Sequence, residues 1–234
     1  MAATAESRPD VPLFTLALPR GRPWAALRVA LERAGVPGVA AADPEARLWT
    51  VADGTRLIFT RPADVATYVR EGVADAGVTG KDVLLEDGDG LVELLDLPLG
   101  TWRMSLAVPA GVAWPELAAE RGDTLRVATS YPVLTARYFA AQGLHPHIVR
   151  LRGAVELAPV VGLADCVVDM VETGRTLAAH GLREVERLER VTLRLVCNPA
   201  SHRWRRAQMD SLVARLTEAV APGQLSGQGD AAGG

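Results

Sequence analysis

The segments GVADAGV at residues 72–78 and GLADCVV at residues 162–168 decide the fold, because they repeat one pattern. In each, a glycine ends a helical segment, and an aspartate then leads into an apolar run typical of a buried strand. Each run is followed by threonine, glycine and a cation, as TGK at residues 79–81 and as TGR at residues 173–175. The repeat predicts two lobes of similar design.

A second repeat lies upstream of each copy. Residues 13–36 and residues 125–144 both show a strand-like run, a short loop, a helical segment and a glycine stop. Because both pairs occur in the same order, we predict an α/β fold of two lobes with a central cleft. Lobes of this class bind ligands where strand ends meet, so we expect the ligand site in that cleft.

Apolar spacing predicts the other elements that matter below. The Asp-Gly pair at residues 53–54 is a strong hairpin signal. The patterns predict hairpin strands at 48–51 and 56–60, further strands at 103–108 and 191–196, and one long helix at 202–220.

Composition excludes several classes of protein. The chain has 234 residues, 49% of them hydrophobic, and a formal net charge of −3 without a basic tract, which does not favour nucleic-acid binding. No apolar run reaches the roughly 18 residues of a membrane span, and the first residues lack the layout of a signal peptide. Cys166 and Cys197 lie in apolar runs without a CxxC motif, so we expect buried free thiols in a cytoplasmic protein.

The basic residues are almost all arginine. Of the 25 lysines and arginines, 24 are arginine and the only lysine is Lys81. Coding bias explains an excess of arginine, and a lysine retained against it indicates a position where a compact point charge is wanted.

The segment DMVETGRT, residues 169–176, carries the sharpest candidate site. A buried strand ends and a helix begins within it, and the loop combines two hydroxyls, a glycine and a guanidinium. Free N–H groups at a helix start favour an anion, and Arg175 can add bidentate bonds to a phosphate. Asp169 and Glu172 suit sugar hydroxyls or a Mg²⁺ ion carried by a polyphosphate. The segment therefore predicts a site for a phosphorylated sugar; the alternative is a plain strand-to-helix turn.

The loops of the first lobe are the other candidates. The Arg20-Gly21-Arg22 loop follows a strand, and two guanidiniums on a short loop suit a triphosphate or pyrophosphate, although solvated surface arginines are the alternative. Arg61 precedes a helix in which Asp64 occupies the first turn, where the carboxylate could serve only as a helix-start charge.

Several segments together resemble one enzyme family. GAVELAPVVGLADCVVDMVETGRTLAAHGL at residues 153–182 resembles the signature region of ATP phosphoribosyltransferase. The resemblance extends in order over LALPRGR, RPADVATYVREGVADAGVTGKDVLLE, ELLDLPLG and RVATSYP. It covers about residues 13–216, so it is far more specific than a single glycine-rich loop.

The resemblance implies a reaction and a fold. The family transfers phosphoribosyl from 5-phosphoribosyl 1-pyrophosphate to N1 of ATP, releases pyrophosphate, uses Mg²⁺ and resembles the type II periplasmic binding proteins. This reaction is the first step of histidine biosynthesis. By resemblance, phosphoribosyl pyrophosphate would be bound by Asp169, Glu172, Thr173, Gly174, Arg175, Thr176 and Glu156. ATP would be bound by Arg20, Gly21, Arg22, Arg61, Asp64, Thr79, Gly80 and Lys81.

The resemblance assigns no acid, base or metal ligand, and it has two departures. We expect Mg²⁺ to arrive on the substrate phosphates, and we expect in-line displacement without a covalent nucleophile. The family commonly has lysine where Arg20 stands, and it often has serine where Glu172 stands. The second change places a negative charge beside the phosphate loop and puts the role of Glu172 in doubt.

The resemblance also predicts the domain division and a partner. Lobe I, on the nucleotide side, would take residues 12–100 and 187–220, and lobe II would take 101–186, between loose tails at 1–11 and 221–234. The length leaves no room for the regulatory domain of the family's long form. We therefore expect the short form, which works in a hetero-octamer with a regulatory subunit resembling histidyl-tRNA synthetase.

Two other functions remain open. A non-catalytic two-lobed solute- or nucleotide-binding module would explain the cleft and the duplication. It would not need the loop at residues 173–176 or the pair of arginines at positions 20 and 22. An inactive paralogue that only binds nucleotides is the other possibility.

Overall fold

The computed structural model describes residues 14–221. The predicted tail at 1–11, the predicted lobe start at residue 12 and the predicted tail from residue 222 onward lie outside these residues. Within the described part, none of the helices is both long and apolar enough to cross a bilayer.

Strands and helices alternate along the described residues. The strands are β1 (Phe14–Pro19), β2 (Leu48–Thr50), β3 (Thr55–Thr60), β4 (Ala76–Gly80), β5 (Val92–Pro109), β6 (Arg126–Thr129), β7 (His147–Arg150), β8 (Cys166–Val171) and β9 (Leu182–Cys197). The helices are α1 (Arg22–Arg33), α2 (Pro62–Arg70), α3 (Lys81–Asp87), α4 (Trp114–Arg121), α5 (Pro132–Ala140), α6 (Leu157–Val160), α7 (Arg175–Ala179), α8 (Pro199–Trp204) and α9 (Arg206–Ala219).

The chain divides into two compact units. Within the described residues, unit 1 takes 14–83, Gly88–Gly100 and 193–221, and unit 2 takes Leu84–Asp87 and Thr101–Thr192. The chain returns to unit 1 at Leu193, later than the boundary that the sequence predicts at residue 187.

Both units arrange their strands in the same way. In unit 1, β1 pairs in parallel with β3 and β4, and β9 pairs antiparallel with β4. In unit 2, β6 pairs in parallel with β7 and β8, and β5 pairs antiparallel with β8. The fold is therefore α/β, as predicted, and the repeated sequence pattern corresponds to a repeated strand arrangement.

One aspartate fixes the entry of a central strand in each unit. The Oδ2 atom of Asp75 accepts a hydrogen bond from the amide of Thr15 at 2.9 Å, and the amide of Asp75 donates to the carbonyl of Thr15 at 2.9 Å. Asp165 makes the same two bonds with the backbone of Arg126, both at 2.8 Å. Each aspartate immediately precedes its strand, so it sets the register of β4 on β1 and of β8 on β6.

Arginines complete both carboxylate sites. The Oδ1 atom of Asp75 lies 3.0 Å from the Nε of Arg205 and accepts from the Ser201 hydroxyl at 2.8 Å. The guanidinium of Arg126 lies 2.9 Å from Asp165, and this hydrogen bond holds the pKa of Asp165 below its ordinary value. A partly buried carboxylate is thereby kept charged and fully bonded.

The strand β8 is buried on both of its faces. The side chains of Val167 and Val171 pack in one apolar cluster with Leu177 of α7, and those of Cys166 and Val168 pack in a second cluster. The strand therefore ends in a fixed position where the segment at residues 172–176 begins.

The hairpin predicted around Asp53-Gly54 is confirmed. The strands β2 and β3 are antiparallel, with Leu48 opposite Ile58. Asp53 accepts a hydrogen bond from the Thr55 amide at 2.9 Å, and Gly54 has a φ of 85°, which favours glycine.

The predicted buried thiols are also confirmed. Cys166 and Cys197 are free and have no exposed surface. Burial raises the pKa of Cys197 to about 11, so this thiol is not a nucleophile at neutral pH.

The strands β5 and β9 are much longer than the predicted strands at 103–108 and 191–196. The additional part of β5 contains charged residues, Pro98 and Gly100, which hide an apolar pattern. The additional part of β9, from Leu182 onward, has only one apolar residue in three, with two charged residues after each, and is mostly exposed. Strands of this kind are held by their backbone pairing, which the spacing of apolar residues does not report.

The long helix predicted at 202–220 is confirmed from Arg206 to Ala219, but its predicted start is wrong. The structure has α8 and α9, separated at Arg205, whose φ of −119° and ψ of 30° interrupt the helix. Asn198 caps α8 by accepting from the Ala200 amide at 2.8 Å, which starts the first helix earlier than predicted. The break places the Arg205 side chain on Asp75.

Removal of either entry carboxylate should destabilise the protein. We expect Asp75→Ala and Asp165→Ala each to lower the free energy of unfolding by about 1–3 kcal/mol, because a backbone amide and an arginine lose their acceptor. The exposed Asp210, which pairs with Arg206 at 3.6 Å, is the matched control, and Asp210→Ala should change stability by less than about 0.5 kcal/mol. Urea unfolding of the three variants measures this; equal losses at all three positions would contradict it.

The contribution of Asp165 should also depend on pH. Because its folded pKa lies below the ordinary value of 3.8, its stabilisation is complete above that pH and is lost as the pH falls through the folded pKa. The stability difference between the wild type and Asp165→Asn should therefore be constant near neutrality and shrink in acid.

Candidate active site

The candidate residues of unit 1 follow three neighbouring strands. Arg20 follows β1, Arg61 follows β3, and Lys81 follows β4. The three strands are parallel, so their carboxyl ends lie at one edge of the sheet. The structure thus brings the predicted nucleotide-binding segments to one edge of this unit.

The Arg20-Gly21-Arg22 loop is held by the neighbouring strand. The amide of Arg20 donates to the carbonyl of Thr60 at 2.8 Å. Gly21 has a φ of 79° and a ψ of −146°, a conformation that requires glycine, and α1 begins directly after it at Arg22. Within the described residues, the buried Nε of Arg20 has no hydrogen-bond partner, while its Nη1 lies 3.5 Å from Glu45. Arg20 therefore gives the loop a positive charge and an N–H donor, at Nε, that makes no hydrogen bond within the described residues.

The segment after β3 begins a helix. Arg61 is extended and exposed before Pro62, and it caps α2 through its carbonyl, which accepts from the amide of Asp64 at 2.9 Å. Asp64 is exposed in the first turn, where a carboxylate favours the helix dipole. Both side chains are open to solvent at this edge.

Thr79 and Gly80 lie behind this edge rather than on it. Thr79 is fully buried, and its hydroxyl donates to the carbonyl of Pro62 at 3.0 Å. A side chain at Gly80 would collide with the carboxylate of Asp82. Thr79 therefore joins β4 to the start of α2, and the absence of a side chain at Gly80 leaves room for the Asp82 carboxylate at the start of α3.

Lys81 is held in an ion-pair cluster. Its Nζ lies 2.7 Å from Oε2 of Glu93, and Oε1 of the same carboxylate lies 2.7 Å from the Nε of Arg194. Arg194 also pairs with Asp96. Sequence reasoning missed Glu93 and Arg194, because Glu93 lies in the part of β5 that lacks a clear apolar pattern and because spacing does not report the long-range partners of Arg194.

The candidate residues of unit 2 lie around the end of β8. Because successive side chains of a strand point to opposite faces, Asp169 shares a face of β8 with Val167 and Val171. Its register partner on β5 is Ser105. Asp169 and Glu172 are half-buried. Glu156 is half-buried at the start of α6.

The segment at residues 172–176, called the phosphate loop below, turns at a left-handed glycine. Gly174 has a φ of 79° and a ψ of −2°, and Thr173, Arg175 and Thr176 are exposed around it. The Thr173 hydroxyl accepts from the Arg175 amide at 3.4 Å. Because α7 has only five residues, its dipole is small, and the loop must bind an anion mainly through its own N–H groups and side chains.

Arg103 is the main residue of this site that the sequence analysis missed. Its Nη1 donates to the carbonyl of Glu172 at 2.8 Å, and its other nitrogens bond Glu184. The hydrogen bonding of Glu184 by Arg103 holds the pKa of Glu184 at about 2. An arginine at the start of the mostly apolar run at residues 104–108 was the available signal. Ser105, which is buried without a hydrogen-bond partner among the described residues, was also missed.

Comparison with known proteins identifies the family. The family model for ATP phosphoribosyltransferase (HisG) matches residues 61–218. A relative from Symbiobacterium thermophilum named ATP phosphoribosyltransferase is 45% identical over 88% of this chain and 95% of its own length. A relative of the same name from Geobacillus sp. (strain WCH70) is 40% identical over 89% of this chain and 99% of its own.

Solved structures agree with the family and the fold. A chain described as the ATP phosphoribosyl transferase (HisG:HisZ) complex from Thermotoga maritima has a TM-score of 0.74 and 36% identity, covering 89% of this chain and 98% of that one. The alkanesulfonate-binding protein SsuA from Xanthomonas axonopodis pv. citri has a TM-score of 0.56 at 16% identity, covering 88% of this chain and 72% of its own. The predicted fold of the type II periplasmic binding proteins is thereby confirmed. The chain belongs to the ATP phosphoribosyltransferase family and is a transferase.

Proposed function

We propose that this chain transfers the phosphoribosyl group of phosphoribosyl pyrophosphate to N1 of ATP, the first step of histidine biosynthesis. The observation that carries the proposal is the phosphate loop, which begins at the end of a buried strand in a chain of this family. Its exposed hydroxyls and guanidinium surround a left-handed glycine, and these groups suit a phosphate monoester.

Phosphoribosyl pyrophosphate is assigned to unit 2. Thr173, Arg175 and Thr176 donate to the 5-phosphate, and Gly174 lets the backbone approach it closely. Asp169 accepts from the ribose hydroxyls, because a carboxylate at the strand end suits a sugar better than a phosphate. Glu156 and Glu172 are further members of this proposed site.

ATP is assigned to the cationic edge of unit 1. Arg20, Arg22, Arg61 and Lys81 would neutralise the triphosphate, and Asp64 would face the adenosine part of the nucleotide. Thr79 acts by joining β4 to α2, Gly21 acts through the backbone conformation that it permits, and Gly80 acts by leaving room for the Asp82 carboxylate.

The chemistry needs orientation and charge neutralisation rather than a covalent nucleophile. N1 of adenine attacks C1 of the ribose, the bond from C1 to the pyrophosphate oxygen breaks, and the configuration at C1 inverts. Holding both substrates in line can supply up to about 7–11 kcal/mol in ideal cases. The cationic side chains stabilise the negative charge that develops on pyrophosphate. No residue is assigned as a general acid or base.

Mg²⁺ is proposed to enter with the substrate phosphates. Within residues 14–221 there is no group of three or more histidine, cysteine, aspartate or glutamate side chains suited to a metal. Asp169 and Glu172 fit the usual arrangement, in which one or two carboxylates and the substrate phosphates hold the ion. The ion would neutralise charge on the leaving pyrophosphate.

We also propose a regulatory partner and a cytoplasmic location. A chain of a complex described as HisG:HisZ is 36% identical to this one, which supports the partner expected for the short form of the family. This form would assemble as a hetero-octamer with a subunit resembling histidyl-tRNA synthetase, in the cytoplasm, and histidine would act through that subunit.

Formation of the adduct tests the activity directly. With ATP, phosphoribosyl pyrophosphate and Mg²⁺, we expect a product with the mass of phosphoribosyl-ATP and the release of pyrophosphate. Activity should be weak for the chain alone and higher with the regulatory subunit. Absence of product when a competent partner is present would contradict catalysis. Full activity and full histidine inhibition of the isolated chain would contradict the partner proposal.

Gly174→Ala should weaken phosphoribosyl pyrophosphate binding specifically. An alanine at a φ of 79° costs about 1–2 kcal/mol and distorts the loop. We expect KM for phosphoribosyl pyrophosphate to rise about tenfold, equivalent to about 1.4 kcal/mol. Gly143, with a φ of 74° and equally open surroundings, is the control. Gly143→Ala should lose similar stability and leave this KM within about twofold. A similar rise of KM in both variants would contradict the loop assignment.

Arg22→Gln should weaken ATP binding. Arg22 and Arg33 are exposed arginines at opposite ends of α1, and only Arg22 lies at the candidate edge. Loss of a charge-assisted bond to a phosphate should raise KM for ATP about tenfold, while Arg33→Gln should change it less than about twofold. Steady-state kinetics with varied ATP distinguishes the two variants, and equal values of KM would argue against the assignment of ATP to this edge.

A further inference from the structure

Arg103 contacts the phosphate loop at its first peptide. It lies in β5, where its register partner on β8 is Val171, the last residue before the loop. From there its Nη1 donates to the carbonyl of Glu172 at 2.8 Å. The contact is therefore made to the backbone of the loop, so it does not depend on the side chain at position 172.

Glu184 fixes the guanidinium that makes this contact. The Nε of Arg103 donates to the carboxylate at 2.9 and 3.2 Å, and its Nη2 donates to Oε2 at 2.5 Å. The side chains of Arg103 and Glu184 are 21% and 18% exposed. A bidentate pair of this kind restricts the arginine to one orientation. Because the pKa of Glu184 is about 2, the pair stays charged throughout the neutral range.

The bond to the Glu172 carbonyl also determines where the next amide points. A trans peptide is planar, and its C=O and N–H groups point in opposite directions. With the carbonyl of Glu172 directed to Arg103, the N–H of Thr173 is directed away from Arg103. The phosphate loop must use such N–H groups to bind an anion, since α7 is too short to supply much dipole.

We propose that Arg103, oriented by Glu184, is a positioning residue that holds the phosphate loop in the conformation that binds the 5-phosphate. This inference rests on the proposed function and adds residues that do not themselves touch the substrate. The three groups, Arg103, Glu184 and the Glu172 carbonyl, are called the Arg103 brace.

The structure offers matched variants. Arg103→Lys keeps the charge but removes the planar fork that bonds the carboxylate and the carbonyl from fixed directions, and Glu184→Gln keeps the shape but weakens the pair. Arg187 contacts the same carboxylate, with its Nε 2.7 Å from Oε1 of Glu184, yet its side chain is 73% exposed. Arg187→Gln is therefore the control for a simple change of charge near Glu184.

The experiment measures substrate kinetics and loop protection in the full chain with its regulatory partner. We expect Arg103→Lys and Glu184→Gln to raise KM for phosphoribosyl pyrophosphate about tenfold or more, with KM for ATP within about twofold. Amide hydrogen exchange at residues 172–176 should be faster in both variants without substrate. Arg187→Gln should match the wild type in each measurement.

Two results would overturn the inference. One is wild-type KM and wild-type exchange at residues 172–176 in folded Arg103→Lys. The other is an equal rise of both KM values with faster exchange throughout unit 2, which would indicate a purely structural role. A structural role would also be indicated if Arg103→Lys does not fold and Glu184→Gln behaves like the wild type. If the wild type itself makes no adduct, the proposed function fails, and loop exchange still decides whether the Arg103 brace orders the loop.

Discussion

The structure depends on one aspartate in each unit that makes two hydrogen bonds to a distant strand. Its carboxylate accepts from an N–H group of that strand, and its own amide donates to a carbonyl of the same residue. Parallel strands cannot be joined by a tight hairpin, so nothing local sets their register. Asp75 supplies the register for β4 against β1, across 60 residues of sequence, and Asp165 supplies it for β8 against β6, across 39. Arg205 and Arg126 each pair with one of the two carboxylates. The loops that follow β4 and β8 are therefore placed by contacts at the opposite ends of these strands.

The phosphate loop is constrained on more than one side. Before it, β8 is packed between two apolar clusters, and after it, Leu177 is buried in one of them. Arg103 adds a bond to its first carbonyl. A loop that is held in this way exposes its hydroxyls and N–H groups without a large loss of conformational entropy when a ligand binds.

The sequence predicted the parts of the fold that repeat and the loops that follow strands. The two aspartates marked the starts of β4 and β8, and the TGK and TGR segments lie at the ends expected for a ligand site. The bonds of Asp75 and Asp165 to earlier strands were not predictable, because spacing does not report long-range partners. For the same reason Glu184, which is 81 residues from Arg103, was missed. Thr79 was expected at the ligand site, but a short polar side chain can be buried once a carbonyl accepts a hydrogen bond from its hydroxyl. The split of the last helix at Arg205 places that residue on Asp75, a long-range contact that apolar periodicity cannot show.

The pairing of Lys81 has a consequence for how the protein holds positive charge. Glu93 places one oxygen against Lys81 and the other against Arg194, and Asp96 also contacts Arg194. The carboxylates are internal counterions, so two cations stay close together without strong mutual repulsion. A polyanion arriving at Lys81 would compete with Glu93 for the same ammonium group, and its net gain would be the difference between two ion pairs. The only lysine of the chain thus lies where one compact charge can exchange its partner without the rigid fork geometry of a guanidinium.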